Sequence, residues 1–250
     1  MARSTSLGLR ATEISGRGEG MRPLKAVILD FWGTLFKPVI ALDLYVERRV
    51  KALWYEIRVR GHKVDVEQVR EAYLSNRAEI DAVRRSRGRE VRLEEEAKGL
   101  LKRLALKDQM LVRPLVRGYL RPFLDSLRPV RGAKEVLELL RRRGYLIALL
   151  SNTFYGHANR ALLVKYGLMG YFHTLKFSDE MGWRKPRREA FEEVLSDLGI
   201  EADEALMVGD SLEEDIKGAE GVGMRAVRVA GIGRQGPELK EALLKEGLVR

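Results

Sequence analysis

The 250-residue sequence contains no cysteine. This absence excludes disulfide bonds, thiolate catalysis and cysteine-ligated zinc, and it agrees with a cytoplasmic location. Asparagine and glutamine are also scarce, whereas arginine and glutamate are abundant. Proteins that work at high temperature show a similar balance, so we expect a thermophilic source.

Long apolar runs are missing as well. No stretch approaches the roughly 20 apolar residues that a transmembrane helix needs, so we expect no membrane partner. Residues 1–20 are polar and lack the apolar region of a signal peptide. We interpret residues 1–22 as a disordered N-terminal tail, with Met21 as a candidate start.

Acidic residues are outnumbered by basic ones, and the formal net charge is +10 at pH 7. A basic protein can attract nucleic acid or a smaller anion. Here the basic residues alternate with acidic ones, as in residues 94–98, and this pattern is typical of solvated helix faces. We therefore expect no nucleic-acid partner. The alternative explanation of the positive charge is that it attracts an anionic substrate.

Short apolar segments alternate with amphipathic ones over most of the chain. Five of the apolar segments are predicted strands: 24–30, 145–151, 174–177, 204–209 and 227–229. Apolar residues at helical spacing, followed by glycine, predict helices over 133–144 and 188–199. This alternation predicts an α/β fold with a doubly wound, Rossmann-like parallel sheet.

Residues 37–128 interrupt the alternation, and we call them the helical insert. They contain no convincing strand and four long amphipathic stretches, at 42–60, 65–86, 91–107 and 111–127. Four such stretches predict a small helical bundle. The chain therefore divides into an α/β core domain, residues 23–36 and 129–250, and an inserted all-helical domain, residues 37–128.

The first predicted strand ends in Asp30, and a tight turn through Gly33 and Thr34 follows at once. Such a strand delivers its last carboxylate to the carboxyl edge of the sheet, where open α/β folds bind their ligands. A carboxylate in this position can be a nucleophile, because aspartate forms aspartyl-phosphate intermediates in known enzymes. Asp30 is therefore a candidate catalytic residue.

The predicted strand at 145–151 ends in Ser151, and Asn152 follows it. A hydroxyl and an amide can both donate hydrogen bonds to a phosphoryl oxygen. Serine and asparagine are also favoured helix N-caps, so capping of the next helix is an equal alternative. Both residues are candidates for the binding of a phosphoryl group.

Lys185 and Pro186 lie just before the predicted helix at 188–199. Proline is favoured near helix starts. A lysine at this place would lie at the mouth of the site, where a cation offsets the charge of a phosphate and a nucleophilic carboxylate. Taken alone, a lysine before a helix is a surface residue in most proteins, so only the accompanying motifs make Lys185 a candidate site residue.

The predicted strand at 204–209 is followed by Asp210, and Asp215 comes five residues later. Mg²⁺ takes oxygen ligands, usually one or two carboxylates with waters and substrate phosphate. Asp210 is well placed to bind Mg²⁺, and Asp215 is either a further ligand or partner of that site or a helix cap. A carboxylate at a buried strand end needs a counter-charge, so Asp210 lacks a comparable structural explanation.

Together these four segments resemble the four motifs of the haloacid dehalogenase superfamily of hydrolases. The matching residues occur in the expected order, Asp30, Ser151, Lys185 and Asp210 with Asp215, over residues 24–36 and 130–230. The first segment resembles Asp-x-Asp-Gly-Thr-Leu, except that Trp32 replaces the second Asp. The helical insert resembles the helical cap that members of this superfamily carry after the first motif.

The resemblance implies a role for each matching residue. Asp30 would attack phosphorus and become a transient aspartyl phosphate, while Ser151 and Lys185 would bind the transferring phosphoryl group. Mg²⁺ would be bound by the carboxylates of Asp30 and Asp210, with Asp215 beside them, and by the main-chain carbonyl of Trp32. Any residue supplies such a carbonyl, so the implied metal site survives the substitution. The implied substrate-binding residues are Thr34, Asn152 and Trp32.

Trp32 stands where phosphatases of this superfamily have their general acid and base. There the second Asp protonates the leaving alcohol and then activates water, and such proton transfer contributes about 10²–10⁴-fold in rate. The indole N–H is a donor only and cannot exchange that proton. The resemblance therefore implies a Mg²⁺-dependent phosphatase of small phosphorylated metabolites that favours good leaving groups, such as acyl or aryl phosphates.

Two alternatives stay open. A 2-haloacid dehalogenase also has an aromatic residue at this position and needs neither metal nor a leaving-group acid, but the acidic pair Asp210 and Asp215 argues against it. A non-catalytic member would bind a phosphorylated ligand at the site or a partner on the insert. The insert contains 22 Lys and Arg against 14 Asp and Glu, which suits an anionic substrate but is explained more simply by an arginine-rich helical surface.

Overall fold

The computed structural model describes residues 22–249. The predicted disordered tail and Met21 therefore lie outside the described residues, apart from Arg22. The strands are β1 (Ala26–Leu29), β2 (Phe36–Pro38), β3 (Leu127–Pro129), β4 (Leu146–Ser151), β5 (Thr174–Phe177), β6 (Ala205–Gly209) and β7 (Arg225–Arg228). Five of them form one parallel sheet in the order β5-β4-β1-β6-β7, which confirms the predicted fold class.

Helices cover both faces of this sheet, as doubly wound sheets require. In chain order, the helices outside the insert are α5 (Ala133–Arg142), α6 (Gly156–Lys165), α7 (Ser178–Met181), α8 (Arg188–Leu198), α9 (Gly218–Glu220) and α10 (Leu239–Lys245). Val27 and Leu29 of β1 pack with residues of α5, α6 and α10. Ala26 and Ile28, which point to the other face, pack with residues of α8 and α9. The apolar runs of the central strands are thus buried on both sides.

The helical insert contains four helices with an apolar core of their own. They are α1 (Leu42–Arg58), α2 (Val66–Arg87), α3 (Leu93–Arg103) and α4 (Val112–Ser126). Asp65 and Gln68 form a reciprocal capping box at the start of α2, which fixes one of the predicted boundaries. The predicted helices at 42–60, 65–86, 91–107 and 111–127 agree with these four within a few residues.

The expectation that the insert holds no strand is wrong at its two ends. Strands β2 and β3 pair antiparallel, with Phe36 opposite Pro129 and Pro38 opposite Leu127. Each strand has only three residues and contains a proline, which removes a main-chain donor, so neither shows the alternation that predicts a strand. This ribbon joins the insert to the sheet and holds its first and last residues side by side.

Between residues 22 and 249, no helix has the length and apolarity needed to cross a membrane.

Candidate active site

Asp30, Ser151 and Asp210 come together because three neighbouring strands end at one edge of the sheet. Strand β1 lies between β4 and β6. Asp30 directly follows β1, Ser151 is the last residue of β4, and Asp210 directly follows β6. The Asp30 main-chain N–H donates to the Val208 carbonyl at 2.9 Å, which extends the pairing of β1 with β6 by one residue. The sheet itself therefore positions the candidate nucleophile.

The turn after β1 brings Gly33 against Asp210. The Gly33 N–H donates to the Phe36 carbonyl at 2.8 Å, and the φ of Gly33 is +90°, a conformation that other residues rarely adopt. A Cβ atom added at Gly33 would lie 2.6 Å from Asp210 Oδ2. Glycine is therefore required here both by the turn and by the close approach of the Asp210 carboxylate.

Lys185 lies between two carboxylates in the interior. Its Nζ donates to Asp30 Oδ1 at 2.8 Å, to Asp215 Oδ1 at 2.6 Å and to the Leu150 carbonyl at 2.8 Å. The residue is 2 % exposed, so the alternative in which Lys185 is an ordinary surface lysine is wrong. All three ammonium protons are engaged, and the charge of Lys185 is directed at the candidate nucleophile.

Burial and charge shift the pKa values in this cluster. Burial, aided by Asp215 and Asp210 and opposed by Lys185, raises the pKa of Asp30 to about 7. Burial also raises the pKa of Asp210, and the nearby Asp215 adds to this. Burial alone would lower the pKa of Lys185, but Asp215 and Asp30 outweigh it and hold that pKa above its usual value. The cluster thus concentrates more negative charge than its lysine offsets.

Asp215 belongs to this cluster and not to a helix cap. A six-residue π-helical turn, Leu212–Lys217, follows β6, and Ser211 caps it by accepting the Glu214 N–H at 3.2 Å. The helix-cap alternative for Asp215 is therefore wrong. Its buried carboxylate instead accepts the Ser211 N–H at 2.9 Å and the ammonium of Lys185.

Ser151 offers an unused hydroxyl to the same site. It is 1 % exposed, and among the described residues its Oγ has no hydrogen-bond partner. Helix α6 begins at Gly156, whose N–H donates to Asp179 Oδ2 at 2.9 Å. The alternative in which Ser151 or Asn152 caps that helix is therefore wrong, and Ser151 Oγ is left as a donor for a ligand.

Asn152 binds the main chain of Lys185 from both ends of its amide. Its Nδ2 donates to the Lys185 carbonyl at 2.9 Å, and its Oδ1 accepts the Lys185 N–H at 2.9 Å. These two bonds tie the loop before α8 to the end of β4. Asn152 therefore positions Lys185, while its binding of a phosphoryl group stays a prediction.

We expect an Asn152→Ala variant to lose about 10–100-fold in turnover, the usual cost of removing a group that orients a site residue. The loss should come from misplaced Lys185 and appear in kcat more than in KM. Steady-state kinetics measure both parameters. Gln109→Ala, which removes the amide of an exposed residue, is the matched control and should change neither parameter.

Thr34 is buried in the turn after β1. It is 1 % exposed, and no hydrogen-bond partner for its Oγ1 occurs within residues 22–249. It lies inside the turn and is not among the described residues that line the cavity in front of Asp30. Its role in substrate binding stays a prediction.

A cavity of about 330 Å³ lies in front of Asp30, between the sheet edge and the insert. The sheet side contributes Asp30, Trp32, Ser151, Asn152, Asp210 and Asp215, and the insert contributes Tyr45, Arg49, Arg77, Asp81, Arg84, Glu90 and Phe123. The half-buried Trp32 packs against Tyr45 and Phe123, with ring centroids 5.5 and 6.0 Å apart. The indole thus forms part of the contact between the turn after β1 and the insert.

Glu90 attaches the insert to the loop that carries Lys185. Its carboxylate accepts Arg84 Nε at 2.6 Å, the Ser178 hydroxyl at 2.7 Å and the Arg184 guanidinium. The Arg184 N–H also donates to the Gly88 carbonyl at 3.0 Å. The residue next to Lys185 is therefore held by the insert, which closes the cavity on this side.

The contribution of the insert to this cavity was not predicted from the sequence. The simpler explanation of its charge, an exposed arginine-rich surface, is wrong for Arg49 and Arg84, which are 3 % and 4 % exposed. One signal was available in α1, where Tyr45, Arg49, Leu53 and Ile57 recur every four residues and form a single buried stripe. An arginine within an apolar stripe indicates a buried functional or structural cation.

The donor set fits a hard divalent cation. One carboxylate oxygen from each of Asp30, Asp210 and Asp215 lies within 4.8 Å of the other two. Oxygen-only donors with surplus negative charge are the ligands that Mg²⁺ prefers. Among the described residues, Lys185 is the cation that pairs directly with these carboxylates, and it pairs with two of the three, so a divalent ion would supply the remaining counter-charge.

The sequence profile of the haloacid dehalogenase-like hydrolases matches residues 24–223. The chain belongs to this family. The match spans both the sheet and the insert, so the resemblance inferred from four short motifs is confirmed over most of the chain.

Curated relatives of the chain include phosphatases. It is similar to the ribulose-1,5-bisphosphate 5-phosphatase of Halopiger xanaduensis, with 38 % identity over 110 residues that cover 44 % of this chain and 46 % of that protein. It is also similar to the glyceraldehyde 3-phosphate phosphatase of Methanothermobacter thermautotrophicus, with 34 % identity over 41 % of this chain and 45 % of that protein. The chain spans about half the length of the curated relatives it matches.

Solved structures extend the similarity to the whole fold. A haloacid dehalogenase-family phosphatase from Thermococcus onnurineus superposes with a TM-score of 0.64 at 26 % identity, covering 91 % of this chain and all of that one. A 2-haloacid dehalogenase from Pseudomonas syringae superposes with the same TM-score at 21 % identity, covering 90 % of this chain and 98 % of that one. The second comparison shows the fold alone.

Proposed function

We propose that this hydrolase is a Mg²⁺-dependent phosphatase of small phosphorylated molecules that works through an aspartyl phosphate at Asp30. The observation that carries the proposal is the convergence of Asp30, Asp210 and Asp215 on one point, with Lys185 hydrogen-bonded to two of them. A site that only binds phosphate has no need of a buried carboxylate at its centre, because the two anions repel each other.

Each side chain has a defined task in the proposed reaction. An oxygen of Asp30 attacks phosphorus, the bond to the leaving group breaks, and a water molecule later releases phosphate and regenerates the carboxylate. Lys185 orients Asp30, and the unused hydroxyl of Ser151 donates to a phosphoryl oxygen. Mg²⁺, bound by Asp30, Asp210 and the Trp32 carbonyl with Asp215 beside them, would offset the charge of the transferring group.

Trp32 limits the substrates of this reaction. Its indole lines the cavity beside Asp30 but can neither protonate a leaving alkoxide nor take a proton from water. Leaving groups that are stable as anions, such as carboxylates and phenolates, need no such proton. The enzyme should therefore favour acyl and aryl phosphates over alkyl phosphates.

Phosphate release from a substrate panel tests the proposal. The panel contains acetyl phosphate, p-nitrophenyl phosphate, glycerol 1-phosphate and the two substrates named for the relatives, ribulose 1,5-bisphosphate and glyceraldehyde 3-phosphate. We expect turnover of the first two with Mg²⁺, a loss of about 10²-fold or more in excess chelator, and alkyl phosphates slower by about 10²-fold.

Two outcomes would contradict the proposal. Absence of phosphate release from the whole panel would leave the non-catalytic alternative. Halide release from 2-chloropropionate in the presence of a chelator would show a dehalogenase, the alternative favoured by the aromatic residue at position 32. The three converging carboxylates argue against that second outcome, since a metal-free displacement at carbon has no use for Asp210 and Asp215.

A further inference from the structure

Arg49 is a buried cation that the proposed reaction does not use. It lies on α1, is 3 % exposed, and lines the same cavity as Asp30. Its guanidinium donates to the Tyr45 hydroxyl and, at 3.4 Å, to the Tyr73 hydroxyl. Its Nε donates to no acceptor in the described part of the chain. The guanidinium therefore keeps an unused donor in the interior.

Arg49 differs from the other arginines that line this cavity. Arg77 pairs with Asp81 at 3.0 Å, Arg84 with Glu90 at 2.6 Å and Arg184 with Glu214 at 3.3 Å. Arg49 has no carboxylate within 4.0 Å anywhere in residues 22–249, so the other three are neutralised by the protein and Arg49 is not. A buried cation without a counter-charge is costly, which points to a charge that arrives with a ligand.

The cavity wall around Arg49 is aromatic. The guanidinium carbon lies 4.8 Å from the ring centre of Tyr45 and 5.6 Å from that of Phe154. Trp32 and Phe123 also line the cavity, and their rings are nearly parallel, at 14°. These rings offer flat apolar surface in the cavity that Asp30 and Arg49 both line, which suits a planar apolar group better than a polyhydroxylated one.

We propose that Arg49 binds a carboxylate on the leaving group of the substrate, whose planar apolar body packs against Trp32 and Phe123. The inference rests on the proposed function and narrows its substrate class to phosphorylated carboxylates with an unsaturated or aromatic body. A guanidinium matches a carboxylate through two parallel hydrogen bonds. The cavity volume of about 330 Å³ is at the lower end for ligand sites, so the substrate is small.

Equilibrium binding tests the inference without turnover. The probes are benzylphosphonate and its 2-, 3- and 4-carboxy derivatives, which cannot be hydrolysed because carbon replaces the ester oxygen, titrated calorimetrically with Mg²⁺ present. We expect one carboxy isomer to bind the wild-type protein about 10-fold or more tightly than benzylphosphonate. In Arg49→Met that preference should vanish, and in Arg49→Lys it should be smaller but present.

Arg48→Met is the matched control, since Arg48 is an exposed neighbour on the same helix, and it should keep the full preference. Because Arg49 has no carboxylate partner, Arg49→Met should melt no lower than the wild type, and its measurable binding of benzylphosphonate sets the baseline for its own preference. These two measurements show that the variant is folded. If Arg49→Met is unfolded, the Arg49→Lys titration tests the proposal in its place, through the smaller preference expected there.

The proposal is overturned if no carboxy isomer is preferred, or if the preference persists in Arg49→Met. Phosphate release from the matching carboxyphenyl phosphates tests the proposed phosphatase function separately. Phosphate release without an Arg49-dependent preference would refute the carboxylate site and leave the phosphatase standing. An Arg49-dependent preference without any phosphate release would support the carboxylate site and refute the phosphatase.

Discussion

We expect an Asp30→Asn variant to release no measurable phosphate from acetyl phosphate and yet to unfold at a higher temperature than the wild type in metal-free buffer. Loss of a covalent nucleophile typically lowers turnover on the order of 10⁴-fold or more. The gain in stability follows from charge, because Asp30, Asp210 and Asp215 converge and Lys185 pairs with Asp30 and Asp215 alone. Asparagine keeps an acceptor for Lys185 and removes one of the three repelling charges.

The pH dependence of this stabilisation has a definite sign. The pKa of Asp30 is raised from 3.8 in the unfolded chain to about 7 in the folded protein, chiefly by burial. The contribution of Asp30 to stability is therefore full below the unfolded pKa and is lost as pH rises through the folded one. In chelator, the melting temperature of Asp30→Asn should exceed that of the wild type by a larger margin at pH 8 than at pH 5.

Asp43→Asn is the control for both measurements, because Asp43 is an exposed carboxylate at the start of α1. It should leave phosphate release unchanged and shift the melting temperature by little at either pH. Retention of phosphate release within tenfold of wild type in Asp30→Asn would show that Asp30 is not the nucleophile. A melting temperature below that of the wild type at pH 8 would refute the electrostatic account of the cluster.

The sheet side of the candidate site could be predicted because it follows from strand ends alone. Asp30, Ser151 and Asp210 are far apart in sequence, but the carboxyl ends of parallel strands share one edge of the sheet. Predicting a parallel sheet was therefore enough to place them together. Lys185 required the family resemblance as well, because nothing local distinguishes a buried lysine before a helix from an exposed one.

The insert side could not be predicted in this way. Which residues of α1 face Asp30 depends on how four helices pack with one another and on the ribbon of β2 and β3, and these contacts join residues distant in sequence. Charge pattern alone assigned the arginines to the surface, and for Arg49 that assignment is wrong. The roles of Ser211 and Asn152 depended likewise on hydrogen bonds that composition does not encode.

On the proposed function, Trp32→Asp should accept alkyl phosphates, whereas the wild type should turn over activated esters. The new carboxyl would protonate the leaving alkoxide, and we expect glycerol 1-phosphate turnover to rise by about 10²-fold, the lower end of what general acid catalysis supplies. The same group would activate the water that hydrolyses the aspartyl phosphate. Both half-reactions should therefore accelerate. Hydrolysis of the aspartyl phosphate, the second of them, gives the sharper measurement.

Rapid mixing with p-nitrophenyl phosphate resolves the two half-reactions. In the wild type, p-nitrophenolate needs no proton to leave, whereas water attacks the aspartyl phosphate without a base, so a burst stoichiometric with enzyme should precede a slow steady state. Trp32→Asp should remove the burst by speeding the second step. Trp32→Asn opens the same space between Tyr45 and Phe123 but cannot exchange a proton, so it should keep the burst. An equal gain in both variants would mean that the indole obstructs the site sterically and that the missing acid is not what limits this enzyme.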